Sequence, residues 1–342
     1  MIKIQDLLQD ASALNSNELR IVSGVRPQIR TRKGWHYCQQ EILAPTWVRE
    51  QILGLLDEEE RVRFLDQSFF NGSLTSEKRN YRFVLSRTAD GFHAHFTWEN
   101  ENIELESFSL PPAVIEIFKK AQGLSLISGP RGSGRTTLSR LLAQEVGKEG
   151  YQSIAVFCDD LEEYKGHDAQ VFPLELLSSG PSLLRGFDFV IVDSLRFQAW
   201  RHAVTLAEVG IRVLVVLPFP TARAAIDRLS EKLESDPQVG RRRLLECLQM
   251  ILSVRLIPAL EKGMHSAYEL IMMTSEIRTA LLGGEWNQVE KAMHDAGEKT
   301  GMRTLNHCLM NLMLKRKIDL KAGFAESPSP QELDAMLDRL GF

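Results

Sequence analysis

One stretch constrains this chain more than any other: Gly123-Leu-Ser-Leu-Ile-Ser-Gly-Pro-Arg-Gly-Ser-Gly-Arg-Thr-Thr-Leu-Ser-Arg140. Leu124 to Ile127 reads as a short buried strand, while Leu138, Leu141, Leu142 and Val146 recur at helical spacing. A glycine loop lies between them. Strand, glycine loop and helix in that order are the setting of a phosphate-binding loop. Glycine lets backbone N–H groups turn inward around phosphate oxygens, and the helix N-terminus adds its partial positive charge. The pattern G-x-x-x-x-G-K-[ST] is met at Gly129, Gly134 and Thr136, but its lysine is Arg135. The candidate nucleotide-binding residues are Gly129, Pro130, Arg131, Gly132, Ser133, Gly134, Arg135, Thr136 and Thr137. A planar guanidinium does not replace a compact ammonium conservatively. The loop predicts phosphate binding and leaves efficient hydrolysis unsupported. A glycine turn that merely joins a strand to a helix is the competing reading.

At 342 residues the chain has room for two or three domains with ample core. A net charge of −4 and a pI near 6.1 argue against nucleic acid and leave at most peripheral membrane contact. No apolar run reaches the roughly 18 residues of a spanning helix. Met1-Ile-Lys-Ile-Gln-Asp6 lacks the basic start and apolar middle of a signal peptide. Cys38, Cys158, Cys247 and Cys308 form no C-x-x-C pair, which suits a reducing cytosol. The expected location is the cytoplasm.

Along the chain, Ile4, Leu7, Leu8 and Ala11 make a first amphipathic helix, and Leu19 to Ser23 alternates like a strand. Val48, Ile52, Leu55 and Leu56 sit at helical spacing, and Asp57 with Glu60 forms a capping-box-like start to the next segment. Tyr81 to Ser86 and Phe92 to Trp98 read as strands about a turn at Asp90-Gly91. Residues 1–108 thus form a small α+β domain, and Leu110-Pro-Pro112 lies in a stiff linker, 109–113. Ser153 to Cys158, Phe189 to Asp193 and Val213 to Leu217 are further apolar strands. Alternating with helices, they predict a mainly parallel covered sheet within 114–240. From Ala222 onward the pattern is predominantly helical, so 241–342 is expected to be a helical region. Ser329 and Pro330 open its last helix.

With these stretches in view, the chain resembles the PilT/PilU branch of the type II/IV secretion ATPases, the hexameric motors of type IV pili. Ser16-Asn-Glu-Leu-Arg-Ile-Val-Ser-Gly-Val-Arg-Pro27 is similar to the family's S-D-L-H-L-x-x-G-x-P-P stretch. Ala222 to Leu229, Gly301-Met-Arg-Thr-Leu305 and Ser327-Pro-Ser-Pro-Gln-Glu-Leu-Asp334 resemble further family segments. The resemblance covers nearly the whole chain. It implies an α/β fold: a RecA-like P-loop NTPase core, an N-terminal PAS-like domain and a helical C-terminal region. It also implies ATP or ADP with Mg²⁺ as cofactors, and Arg82 and Arg87 as arginines that approach the nucleotide, a third being Thr97. Asp193 and Thr136 match the positions that hold the metal.

The departures from the family pattern gather at the chemistry. The Walker B pair Gly-Glu is Asp193-Ser194, and a serine cannot take a proton from water near neutral pH as a carboxylate can. The histidine box T-L-H-T is Val216-Leu217-Pro218-Phe219. The aspartate box E-D-P-I-E-F is Asp159-Asp160-Leu161-Glu162-Glu163-Tyr164, so Asp159, Asp160 and Glu163 are the residual catalytic candidates. Ile277-Arg278 match the start of A-I-R-N-L-I-R-E, whose second half is altered. Two functions follow. One is a regulatory or structural subunit of a pilus or secretion apparatus that binds nucleotide weakly and hydrolyses it slowly or not at all. The other is a retraction ATPase with rewired chemistry. The implied partners are copies of itself or an intact PilT-like paralogue in a hexamer, and an inner-membrane platform protein of the pilus.

Smaller signals have bland readings. His93 and His95 share a strand face but lack a third ligand at fixed spacing. Arg241-Arg-Arg243 suits a solvated or subunit-facing helix start better than nucleic acid. Cys158, Trp200 and Trp286 are expected to pack.

Overall fold

The computed structural model describes residues 3–14, 16–31, 34–76, 79–98, 103–148, 153–161, 164, 169–179, 184, 186–261 and 263–341. The chain divides into two compact units, Met1–Ile103 and Glu104–Phe342. In the first, α1 (Ile4–Ala13) precedes β1 (Glu18–Val22), β2 (Gln28–Thr31) and β3 (Gly34–Tyr37). Then come α2 (Pro45–Gly54), α3 (Glu58–Gln67), β4 (Phe69–Ser76), β5 (Arg79–Thr88) and β6 (Gly91–Trp98). The strands form one antiparallel sheet in the order β3-β2-β1-β6-β5-β4. Side chains alternate across a strand, so Tyr81, Phe83 and Leu85 meet Ala94, Phe96 and Trp98 on the inner face. Ile4, Leu7, Val48, Ile52 and Phe64 close that core from the helices. The capping box at α3 forms: Glu60 N–H donates to Asp57 Oδ1 at 2.8 Å and Asp57 N–H to Glu60 Oε2 at 3.0 Å.

The second unit begins with a 3₁₀ turn (Leu105–Phe108) and α4 (Pro112–Lys120). Next are β7 (Gly123–Ser128), α5 (Arg135–Gly147), β8 (Ile154–Cys158), β9 (Gln170–Pro173), β10 (Phe189–Asp193), α6 (Phe197–Glu208) and β11 (Arg212–Leu217). After α7 (Ala222–Leu233) and α8 (Pro237–Cys247) come β12 (Leu248–Pro258) and β13 (Met264–Met272). The chain closes with α9 (Ser275–Gly283), α10 (Trp286–Thr300), α11 (Leu305–Leu314), α12 (Leu320–Glu326) and α13 (Pro330–Asp338). Seven strands make one sheet, β13-β12-β7-β11-β10-β8-β9. Every pairing is parallel except β12 with β13. Register aligns Cys158, Asp193, Val216 and Ile127 in one row across β8, β10, β11 and β7. The segments that follow these four strands therefore emerge at the same edge, where parallel sheets place ligands.

The expectation of a helical region over 241–342 is corrected. Its first third carries β12 and β13, and β12 lies beside β7 at the heart of the sheet. The cause is visible in Leu-Gln-Met-Ile-Leu-Ser-Val-Arg-Leu-Ile-Pro258, a near-continuous apolar run. A strand buried on both faces carries no period-2 signal, so periodicity cannot separate it from a buried helix. In the first unit, β2, β3 and β4 are likewise additional to the strands expected from sequence.

Candidate nucleotide site

The loop from Gly129 to Gly134 joins β7, buried at every position, to α5, which buries Leu138, Ser139, Leu142, Ala143 and Val146. Gly134 caps α5 with φ 84°, a left-handed conformation that suits glycine. Gly129 (φ 156°) is tighter still: a Cβ there would meet Val254 O of β12 at 2.6 Å and the Ser133 hydroxyl. The root of the loop is pinned to β12 by a 2.7 Å bond between the Ser128 and Ser253 hydroxyls. Ser133 is 3% exposed and its hydroxyl has no hydrogen-bond partner among the described residues. An orphaned polar atom is costly when buried, and phosphate oxygens would satisfy this one. Arg131 and Gly132 lie exposed at the loop's tip.

Asp193 ends β10 and faces the start of α5. Burial pushes its carboxyl pKa up; hydrogen bonds from Thr136 and Tyr164 and the charge of Arg135 oppose that, while Asp159 adds to it. The Tyr164 hydroxyl, fully buried, donates to Asp193 Oδ2 at 3.0 Å and bonds the Ser139 hydroxyl. Ser139 Oγ in turn donates to the Thr136 carbonyl at 2.9 Å. Thr136 and Asp193 thus offer a hydroxyl and a carboxylate side by side at the loop, the oxygen donors that suit Mg²⁺.

Beside this pair stands a second network. The Ser194 hydroxyl, 2% exposed, donates to Asp159 Oδ2 at 2.7 Å, and Leu195 N–H donates to the same oxygen at 3.2 Å. Arg196 Nε lies 2.9 Å from Asp159 Oδ1, and its Nη1 reaches Glu175 Oε1 at 3.0 Å. Arg196 N–H also donates to Ser194 Oγ at 3.0 Å. Trp200 Nε1 donates to the Ser194 carbonyl at 2.8 Å, and its ring meets Phe219 edge-on, centroids 5.5 Å apart. Two aromatic rings therefore occupy the neighbourhood of the Pro218-Phe219 substitution.

Of the residues singled out from sequence, the fold brings the loop, Arg135, Thr136, Asp159 and Asp193 together. Asp160 follows directly, half-buried, with its carbonyl accepting from the Cys158 thiol at 3.3 Å. Glu163 lies outside the described residues. Arg82 and Arg87 are on β5 in the first unit, where Arg87 Nη2 donates to Ser68 Oγ at 3.1 Å. Tyr164, Ser139, Glu175 and Arg196 were not anticipated as site residues. Tyr164 stood within the aspartate-box stretch, but nothing local marked its hydroxyl as bound to a strand end 29 positions away. His95 bonds Glu18 at 3.1 Å and His93 bonds Thr88 at 3.2 Å. Among the described residues no group of three or more His, Cys, Asp or Glu could hold a metal ion. No helix among them is long and apolar enough to cross a membrane.

No family model matches the chain. It is 24% identical over 345 residues to the type IV pilus retraction ATPase PilT of Pseudomonas aeruginosa, covering 96% of this chain and 99% of that one. It is 23% identical over 356 residues to the type IV pilus ATPase PilU of the same organism, covering 98% and 91%. Among solved structures it is similar to the pilus retraction motor PilT with bound ADP (TM-score 0.77, 21% identity, 98% and 100% covered). It is also similar to the Legionella pneumophila ATPase DotB (TM-score 0.74, 17% identity, 94% of each chain covered).

Proposed function

We infer a function from the premise that the chain is a PilT-like member of the secretion ATPases: it binds ATP or ADP at the Gly129–Thr137 loop but hydrolyses it poorly, and serves a pilus or related secretion apparatus as a regulatory or structural subunit. The orphaned Ser133 hydroxyl and the positive φ of Gly129, Gly132 and Gly134 in the loop before α5 support phosphate binding. Thr136 and Asp193 would hold Mg²⁺, which would neutralise charge on the phosphate oxygens. Arg82 and Arg87 are the proposed contacts from the first unit, by resemblance. The proposed partners are further copies or an intact PilT-like paralogue in a hexamer, with a pilus platform protein beneath. No nucleic acid is involved, and the proposed setting is the cytoplasm.

The hydrolysis-deficient reading rests on one observation: the carboxylate nearest the Walker B serine is already spent. Asp159 accepts from Ser194 and Leu195 and is ion-paired to Arg196. A carboxylate whose two oxygens are already engaged by these donors is poorly placed to orient attacking water. The intact Thr136–Asp193 pair favours the alternative, a working motor with rewired chemistry. Steady-state ATP turnover separates the two. The expected rate is at background, unrescued by Arg135→Lys alone. Turnover on the order of 1 s⁻¹, typical of working enzymes, would overturn the reading, provided Gly134→Val abolishes it.

A further inference from the structure

Two departures from the family's motifs touch one another in the fold. Asp193 stands where the Walker B pair has glycine, and Tyr164 stands where the aspartate box ends in phenylalanine. Parallel pairing sets Asp193 of β10 beside Cys158 of β8, so the chain that leaves β8 starts next to the end of β10. Tyr164 lies beyond that strand, its N–H donating to the Leu161 carbonyl at 3.4 Å and its side chain wholly buried. The phenol hydroxyl donates to Asp193 Oδ2 at 3.0 Å and bonds the Ser139 hydroxyl. Ser139, also fully buried, shares a face of α5 with Thr136, three positions before it. Thr136 in turn hydrogen-bonds Asp193. A hydroxyl has one proton to give. Tyr164 directs its own at Asp193, and Ser139 holds the phenol oxygen from behind while reaching the Thr136 carbonyl at 2.9 Å. One phenol therefore joins the end of β10 to the first turns of α5.

An aspartate at a strand end has two side-chain torsions with which to turn toward the loop or away from it. Donors on its carboxylate remove that freedom. A ring packed as tightly as Tyr164 keeps its hydroxyl at a fixed point, so the bond to Oδ2 sets the plane of the carboxylate as well as its place. Groups that orient a metal ligand in this way matter to metal affinity nearly as much as the ligand itself. A phenylalanine would fill the same space and leave Oδ2 without this donor. We propose that Tyr164 is a positioning residue for Mg²⁺: its hydroxyl holds the Asp193 carboxylate beside Thr136 and so makes nucleotide binding metal-dependent. The inference rests on the nucleotide reading given above and adds to it a residue that neither the loop nor the strand contains. Because Tyr164 acts through Asp193, it contributes to the hold on the metal and not to the grip of the loop on phosphate.

Calorimetric titration of the full chain with ADP, once in EDTA and once in excess Mg²⁺, tests it. The wild type binds ADP more tightly with Mg²⁺. Tyr164→Phe leaves the dissociation constant in EDTA unchanged and weakens binding in Mg²⁺ by about 10-fold, the scale on which losing a group behind a metal ligand is felt. Ser139→Ala keeps the bond from Tyr164 to Asp193 and removes the hydroxyl behind it, so the gain from Mg²⁺ falls by less. Equal weakening of Tyr164→Phe in both conditions overturns the proposal, because the hydroxyl then supports the shape of the site and not the metal. An Mg²⁺ gain that is unchanged or larger in Tyr164→Phe overturns it too. Should circular dichroism show that Tyr164→Phe does not fold, Ser139→Ala decides, and an undiminished gain there is fatal to the proposal. A wild type that binds ADP equally in EDTA and in Mg²⁺ overturns it while the nucleotide reading stands. A wild type that binds no ADP in either condition removes both.

Discussion

At the scale of single residues, the site turns on where protons and donors are already placed. Burial raises the Asp193 pKa, so the folded chain keeps a proton there at pH values where the unfolded chain has lost it. The associated stabilisation is complete below the ordinary value of 3.8 and is lost as pH rises through the folded pKa. Ionising this buried carboxyl therefore costs stability. Asp193→Asn keeps an acceptor for the Tyr164 hydroxyl and removes the charge. Its melting temperature should exceed that of the wild type at neutral pH, with the gain disappearing towards about pH 4. Calorimetric titration of the same variant should show that Mg²⁺ no longer tightens nucleotide binding. A lower melting temperature at neutral pH would mean that Thr136, Tyr164 and Arg135 outweigh the burial. Little of this is legible in the sequence. Spacing alone locates Gly129, Gly134, Arg135 and Thr136, because the loop is local. The bonds from Ser194 to Asp159 and from Tyr164 to Asp193 join residues that only the sheet brings together.

At the scale of elements, the loop depends on β12 as much as on its own glycines. Val254 O closes in on Gly129, Ser253 bonds Ser128, and Leu252 pairs in register with Ile127. The sequence places β7, β10 and β11 correctly because each is a short apolar run bounded by turn or polar residues. It misplaces β12 because the run is longer and lies in otherwise helical surroundings, where burial on both faces erases the alternation. Leu252 is fully buried, so Leu252→Ala should cost about 2–5 kcal/mol, the usual range for such a cavity. Denaturant unfolding measures that cost. Because the strand touches the loop's root, the variant should also bind nucleotide more weakly than a surface control. An unaltered affinity at reduced stability would show that the loop holds its shape without β12.

At the scale of the whole molecule, two units with separate cores need not unfold together, and a single transition is not the default expectation. Nucleotide adds a free-energy difference only to what it contacts. At a concentration near 100 times the dissociation constant, that difference is about 2.7 kcal/mol. For a unit of this size the corresponding rise in melting temperature is roughly 5–10 °C. The loop, Thr136 and Asp193 all belong to Glu104–Phe342, so the transition of that unit should move by about this amount when ADP and Mg²⁺ are added. The transition of Met1–Ile103 tests the proposed reach of Arg82 and Arg87. If these arginines contact the nucleotide, the first transition also rises, by a smaller amount because Thr97 stands opposite Arg82 where the resembling family has a further arginine. The shift should then be lost in Arg87→Ala while that of the second unit persists. Differential scanning calorimetry resolves the two. A first transition indifferent to ADP in both proteins would confine the nucleotide to the second unit and leave the arginines as solvated strand residues. A shift that survives Arg87→Ala would carry the coupling through some group other than Arg87.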